Sequence, residues 1–205
     1  LAGLASGEPA RTLDLAASTP LSTLADSVLW FAARNPAGRE QIVARLAASA
    51  PGSPSALSAA AALRGLRVLA FALESEAAIA MPSAWPQVLA RFAATSDAAA
   101  RAAVEQLSAL FGDKNVLART RERLADSRAS LAQRRAALAL LKRAGDPEAL
   151  SIYIRLLDED AFRADVIPLL SGTDDPAAAA GLIRHFGRLA DVDRAAALGT
   201  LTSRA

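Results

Sequence analysis

No cysteine occurs anywhere in this chain. That removes disulfides, thiolate metal sites, haem attachment through Cys and Cys nucleophiles. Histidine occurs once, at His185, so a transition-metal site would have to be dominated by carboxylates. Lysine is nearly as scarce: of 23 basic residues only Lys114 and Lys142 are lysines. Aromatic residues make up 4% of the chain, so a core must be built from Leu, Ala, Val and Ile. No stretch approaches the roughly eighteen uninterrupted apolar residues of a membrane span; the nearest, Ala59 to Leu73, carries Arg64 and Arg67. The opening residues have no signal-peptide layout. Gly-x-Gly-x-x-Gly, P-loop and Gly-x-Ser-x-Gly motifs are missing as well.

What is present favours helix. Hydrophobic residues make up 53% of 205, mostly Ala and Leu, the strongest helix formers, while β-branched residues are few. The ten prolines and eleven glycines fall mostly at breaks between apolar stripes. The net charge is +2 with a pI near 9.6. Guanidinium groups do not deprotonate, so a small arginine excess holds the pI high without a strongly cationic surface.

Read in order, the chain gives about eleven amphipathic helices. Residues 1–18 form a loose lead-in. Thr19-Pro20 opens a helix with the stripe Leu21, Leu24, Val28, Phe31, which Asn35-Pro36 breaks. A helix over about 37–48 follows, then the linker Ala50 to Pro54 with Ser53-Pro54 as a second cap-plus-proline start. Leu63, Leu66, Leu69, Ala70 and Leu73 form the next buried face, and Trp85, Val88, Leu89 and Phe92 the one after it. Ser96 caps a helix with Ala100, Val104, Leu107 and Phe111 inward, closed by Gly112. Asp113 caps the helix of Val116, Leu117, Thr120 and Leu124. Ser130 and Gln133 have capping-box spacing, and Gly145 ends that helix. Asp146-Pro147 starts the set Leu150, Tyr153, Ile154, Leu157. Phe162, Val166, Leu169 and Leu170 line a helix that Pro168 should kink. Asp175-Pro176 opens the helix of Leu182, Ile183 and Phe186, and Val192, Ala195, Leu198 and Leu201 line the last.

Equivalent points recur. Pro147 to Pro176 is 29 residues, Arg135 to Arg163 is 28, Arg163 to Arg194 is 31 and Arg101 to Arg135 is 34. Two helices per unit at such periods mean a helical solenoid. The Arg-Ala-Ala-Leu run at Arg135 to Leu138, its counterpart at Arg194 to Leu198, and an Asp-Pro start to the following helix resemble HEAT repeats in their short bacterial form. The resemblance covers 97–205 well and 19–96 loosely. It implies an all-α, right-handed α-solenoid of about five helix pairs, continuous from the degenerate repeats of 19–96 into the regular ones of 97–205. Residues 130–205 also resemble the HEAT segment of large bacterial multidomain haem-binding proteins, between a propeller and a c-type cytochrome domain. That likeness implies a periplasmic or extracytoplasmic setting. The Cys-x-x-Cys-His attachment motif and the propeller's catalytic residues are absent here, so the redox chemistry would lie outside this chain. The chain starts at Leu1 and stops at Ala205 within a helical pattern, and we read it as a fragment of a longer protein.

Site candidates are few. His185 sits on a helix flank without an evident partner. Asp158-Glu159-Asp160 and Asp174-Asp175 lack the spacing of a calcium loop and stand where helix caps belong. Trp30, Trp85 and Tyr153 fall on or beside apolar stripes and read as core. Charge segregation is the one pattern above background. From Lys114 to Arg143, nine basic residues stand against Glu122 and Asp126; from Ala144 to Ala178, eight acidic residues stand against Arg155 and Arg163. Arg119, Arg121, Arg123, Arg128, Arg134 and Arg135 are therefore the candidate binding residues, for a charged partner or for carboxylates of the adjacent repeat. The sequence implies a non-catalytic scaffold that binds a protein or spaces flanking domains of the same chain, with no cofactor, no metal and no membrane insertion. The alternative is a nucleic-acid-binding solenoid resembling HEAT-like alkylpurine DNA glycosylases, which cradle DNA on a basic concave face.

Overall fold

A computed structural model describes residues 11, 13, 14, 19, 21–48, 57–76 and 79–202, with the backbone alone at Thr200. Most of the 1–18 lead-in, Pro20 and the linker Ala50 to Pro54 lie outside the described residues. Among the described residues the chain is all-α, without a strand. The eleven helices bounded within the described residues are α1 Ser22–Arg34, α2 Pro36–Ala47, α3 Ala59–Ala72, α4 Trp85–Phe92, α5 Ala98–Leu110, α6 Lys114–Ala125, α7 Leu131–Ala144, α8 Leu150–Leu156, α9 Asp160–Ser171, α10 Pro176–His185 and α11 Asp191–Thr202. Short 3₁₀ turns, Pro147–Ala149 and Phe186–Arg188, precede α8 and follow α10.

Local chemistry sets the ends. Asn35 Oδ1 accepts from the amides of Ala37 and Gly38, with Pro36 in the first turn where its missing N–H costs nothing. Ser130 and Gln133 form a reciprocal capping box, and Gly145 closes α7 at φ 62°, a left-handed conformation that favours glycine. Asp175 caps α10 ahead of Pro176. Some starts differ from expectation. Leu21, not Thr19, occupies the cap of α1, and its side chain caps nothing. Asp97, not Ser96, caps α5 by accepting from Ala99 and Ala100; a carboxylate is an acceptor that also suits the positive end of the dipole. Asp146-Pro147 opens a 3₁₀ turn before the α-helix begins. The α9 helix runs through Pro168.

Two compact units divide at Asp113 and Lys114. In the first, α1 packs on α2 and α3, α2 on α3 and α4, and α3 and α4 on α5. Alternate helices run parallel in a fixed register. Asp26 faces Arg64 and Arg34 faces Glu76, while Glu40 accepts from Ser83 and the Arg91 guanidinium donates to the Leu46 carbonyl. The core holds Leu46, Leu66, Leu69, Leu73, Leu107 and Leu110 around Trp85. Trp85 meets Phe111 edge-on at 4.9 Å. Its indole N–H donates to Ser108 Oγ at 3.1 Å, and that hydroxyl donates to the Val104 carbonyl, so neither buried polar group is left unpaired.

In the second unit, α6 packs on α7 and α8, α8 on α9 and α10, and α9 on α10 and α11. Phe162, Leu124, Leu141, Leu156, Leu157, Val166 and Leu170 fill its core. Two stripes rotate away from their expected faces. Ile183 is 64% exposed while Gly181, Leu182 and His185 point inward. A Cβ at Gly181 would lie 2.9 Å from Ile154 Cγ2, so the missing side chain permits the close approach of α8 and α10. On α11, Val192 and Leu198 are exposed and Ala197 is buried. The Arg163–Asp193 ion pair and the Arg194 bond to the Gly187 carbonyl fix that face.

Candidate functional site

An arginine stands at the fourth position of five helices: Arg39 in α2, Arg101 in α5, Arg134 in α7, Arg163 in α9 and Arg194 in α11. Each donates to a backbone carbonyl at or just beyond the end of the preceding helix. The acceptors are Ala33 at 3.4 Å, Thr95 at 2.9 Å, Leu124 at 2.9 Å, Leu157 at 2.9 Å and Gly187 at 3.5 Å. The last carbonyls of a helix lack intrahelical donors and carry the negative end of its dipole. A short reversal brings the next helix's first turn beside them, so a guanidinium there satisfies a bare acceptor and its charge together.

The candidate binding residues divide on this principle. Arg134 is buried. Its Nε donates to Leu124, its two terminal nitrogens grip Glu159 at 2.6 and 2.8 Å, and its guanidinium lies 4.6 Å from the Phe162 ring centre. The hydrogen bond from Arg134 holds the Glu159 carboxyl below the usual carboxylate range, and the same bond raises the Arg134 pKa. Arg121 donates to both oxygens of buried Asp146, at 3.1 and 2.9 Å, and reaches Glu148 at 2.7 Å. Arg135 is exposed, with a 3.4 Å contact to the Ala161 carbonyl. Arg119, Arg123 and Arg128 are exposed. Arg121 and Arg134 are thus engaged inside the second unit by carboxylates that follow them in sequence.

The remaining polar candidates are also structurally engaged. His185 is buried; Nδ1 faces the Gly181 carbonyl at 2.7 Å and Nε2 faces Asp158 at 3.3 Å, with Arg188 3.6 Å from the same carboxylate. Glu159 and Asp160 turn to Arg134 and Arg163, so the acidic triplet disperses to three separate cations. Among the described residues no group of three or more His, Asp or Glu side chains gathers as a metal site would require. Trp85 and Tyr153 are core residues, and Trp30 is half-buried beneath the Arg34 guanidinium. The Tyr153 hydroxyl has no hydrogen-bond partner among the described residues, and burial pushes its pKa far up.

A surface that the sequence reading did not single out lies in the first unit. Between α1 and α3 is an open groove of about 510 Å³, lined by Asp26, Ser27, Trp30, Phe31, Arg67, Val68 and Phe71. Phe31 is 37% and Phe71 67% exposed. On the other side of Phe71 a second hollow of about 390 Å³ runs between α3 and α5, floored by Ala99, Ala102 and Ala103 and flanked by Arg67, Glu74 and Gln106. Phe31 falls on the apolar stripe of Leu21, Leu24 and Val28, whereas Phe71 falls outside the stripe of its own helix. A large apolar residue off the buried face was the available signal. Among the described residues, no helix is long and apolar enough to cross a membrane. In comparisons with known proteins, no family model, curated sequence or solved structure matches this chain.

Proposed function

We propose that this chain is a non-catalytic helical-repeat scaffold, a right-handed α-solenoid of the HEAT type. Its stacked helix pairs present a surface to a protein partner or hold flanking domains at a set separation. The observation that carries the reading is the repeated fourth-position arginine bonded to the preceding helix end. A device used five times in one chain serves stacking, and stacked pairs provide an extended recognition surface. A HEAT segment of a larger multidomain protein is the setting this reading favours.

The nucleic-acid alternative draws on exposed Arg119, Arg123, Arg128 and Arg135. It loses Arg121 and Arg134 to carboxylates and loses Trp85 to the core as a stacking platform. A titration with duplex DNA at graded salt separates the two. The scaffold reading expects no saturable binding at low salt. Saturable binding whose logarithm falls steeply with the logarithm of salt concentration would overturn it. Small-angle scattering tests the solenoid: a compact globule of this length has a radius of gyration of about 17 Å, and an extended array exceeds it clearly.

A further inference from the structure

Arg67 and Phe71 stand four residues apart on the outward face of α3, and Glu74 follows in the turn after the helix ends at Ala72; all three border the α3–α5 hollow. Phe71 is 67% exposed and separates the α1–α3 groove from the α3–α5 hollow. The other charges at the α1–α3 groove are matched within the unit: Asp26 pairs with Arg64, and Arg34 pairs with Glu76 while covering Trp30. Arg67 and the Glu74 carboxylate are exposed and have no ion-pair or hydrogen-bond partner among the described residues. The result is a ridge with an apolar centre, a free cation at one end and a free carboxylate at the other.

We propose that this ridge docks an amphipathic helix of a partner protein. The partner's apolar edge packs on Phe71 and Phe31 and over the alanines of α5. It carries a carboxylate facing Arg67 and a cationic side chain facing Glu74. This rests on the scaffold reading above and names its partner. Phe71 lies about one helical turn beyond Arg67, a rise of about 6 Å, and Glu74 stands past the C-terminal end of α3. The matching acid and base in the partner therefore stand on either side of its apolar anchor. Alanine rather than leucine beside Phe71 leaves room for a backbone to approach, since interaxial distance follows side-chain size at the contact. The opposed charges fix the direction in which the partner lies, because reversing it sets like against like at both ends. A second copy of this chain is the competing occupant.

The test is selection from a displayed library of helical peptides against the full chain, followed by fluorescence-anisotropy titration of the enriched peptides. The expected binders carry an acid on one side and a base on the other side of a group of large apolar residues. Phe71→Ala should weaken them at least tenfold. The double reversal Arg67→Glu with Glu74→Lys should likewise reject them and prefer peptides with acid and base exchanged. All three positions are exposed, so the variants should keep the wild-type circular dichroism and melting temperature. The proposal is overturned if no helical peptide enriches, or if affinities do not respond to Phe71→Ala and the charge reversal. Concentration-dependent self-association abolished by Phe71→Ala would overturn it in favour of a second copy. Peptides that bind equally well to Phe71→Ala sink this surface alone and leave the scaffold reading standing. Salt-sensitive DNA binding sinks that reading instead.

Discussion

Replacing Arg134 by alanine removes three interactions whose magnitudes can be worked separately. The hydrogen bond from Nε to the Leu124 carbonyl is 2.9 Å long and buried; losing a charge-assisted bond to a buried acceptor costs about 1.5–3 kcal/mol. The paired bonds to Glu159 are short, but that carboxylate's side chain is 42% exposed and regains water, which limits this loss to about 1 kcal/mol. The guanidinium over Phe162 at 4.6 Å adds about 1 kcal/mol. The expected destabilisation is about 3 kcal/mol, allowing for non-additivity among groups that share one side chain. Arg135, its exposed neighbour, should cost within about 0.5 kcal/mol on the same change. Urea unfolding followed by circular dichroism, with midpoint and slope compared, reads both variants. If Arg134→Ala unfolds within about 0.5 kcal/mol of the parent, or if the two variants are alike, the stacking role of the fourth-position arginine is refuted.

Three further outcomes are expected. The Glu159 carboxyl titrates below its ordinary value because Arg134 donates to it. A depressed folded-state pKa gives stability that is present above the unfolded value, about 4.3, and lost as pH falls through the folded one; Glu159→Gln should flatten the acid limb of stability below about pH 5, and an unchanged limb would contradict this. Gly38→Ala should cost about 3 kcal/mol, because a Cβ there would lie 2.3 Å from the Ala32 carbonyl oxygen, a backbone atom that cannot swing aside; Gly187→Ala, with open space around it, should be near neutral in the same thermal melt. Tyr153→Phe removes a buried hydroxyl that has no partner among the described residues, so the melting temperature should hold or rise; a drop worth more than about 1 kcal/mol would mean that the hydroxyl is satisfied.

Helix existence and most helix punctuation were legible because their causes are local. Asn35-Pro36, the Ser130–Gln133 box, Gly145 and Asp175-Pro176 act through their own backbone amides and torsions. Rotation of a helix about its axis is not local. Ile183 and Val192 carried the right residue type for a buried stripe, yet Gly181 against Ile154 and the Arg163–Asp193 pair turn α10 and α11 the other way. The spacing of Arg135 to Arg163 suggested a repeat. The residue that shares the fourth helix position and the carbonyl bond with Arg163 and Arg194 is Arg134. Adjacent arginines differ in sequence by one place and in the folded unit by burial, which only the neighbouring helix decides. The basic segment 114–143 looked uniform for the same reason, although its members range from the buried Arg134 to the exposed Arg119.

A photo-crosslinking residue placed in turn at Phe71 and at Arg119, Arg123, Arg128 and Arg135, in the host that expresses the protein, tests the scaffold account most directly. The account predicts a discrete protein adduct from position 71 and no nucleic-acid adduct from the four arginine positions. Nucleic-acid adducts from those arginines, with none to protein from position 71, would contradict it.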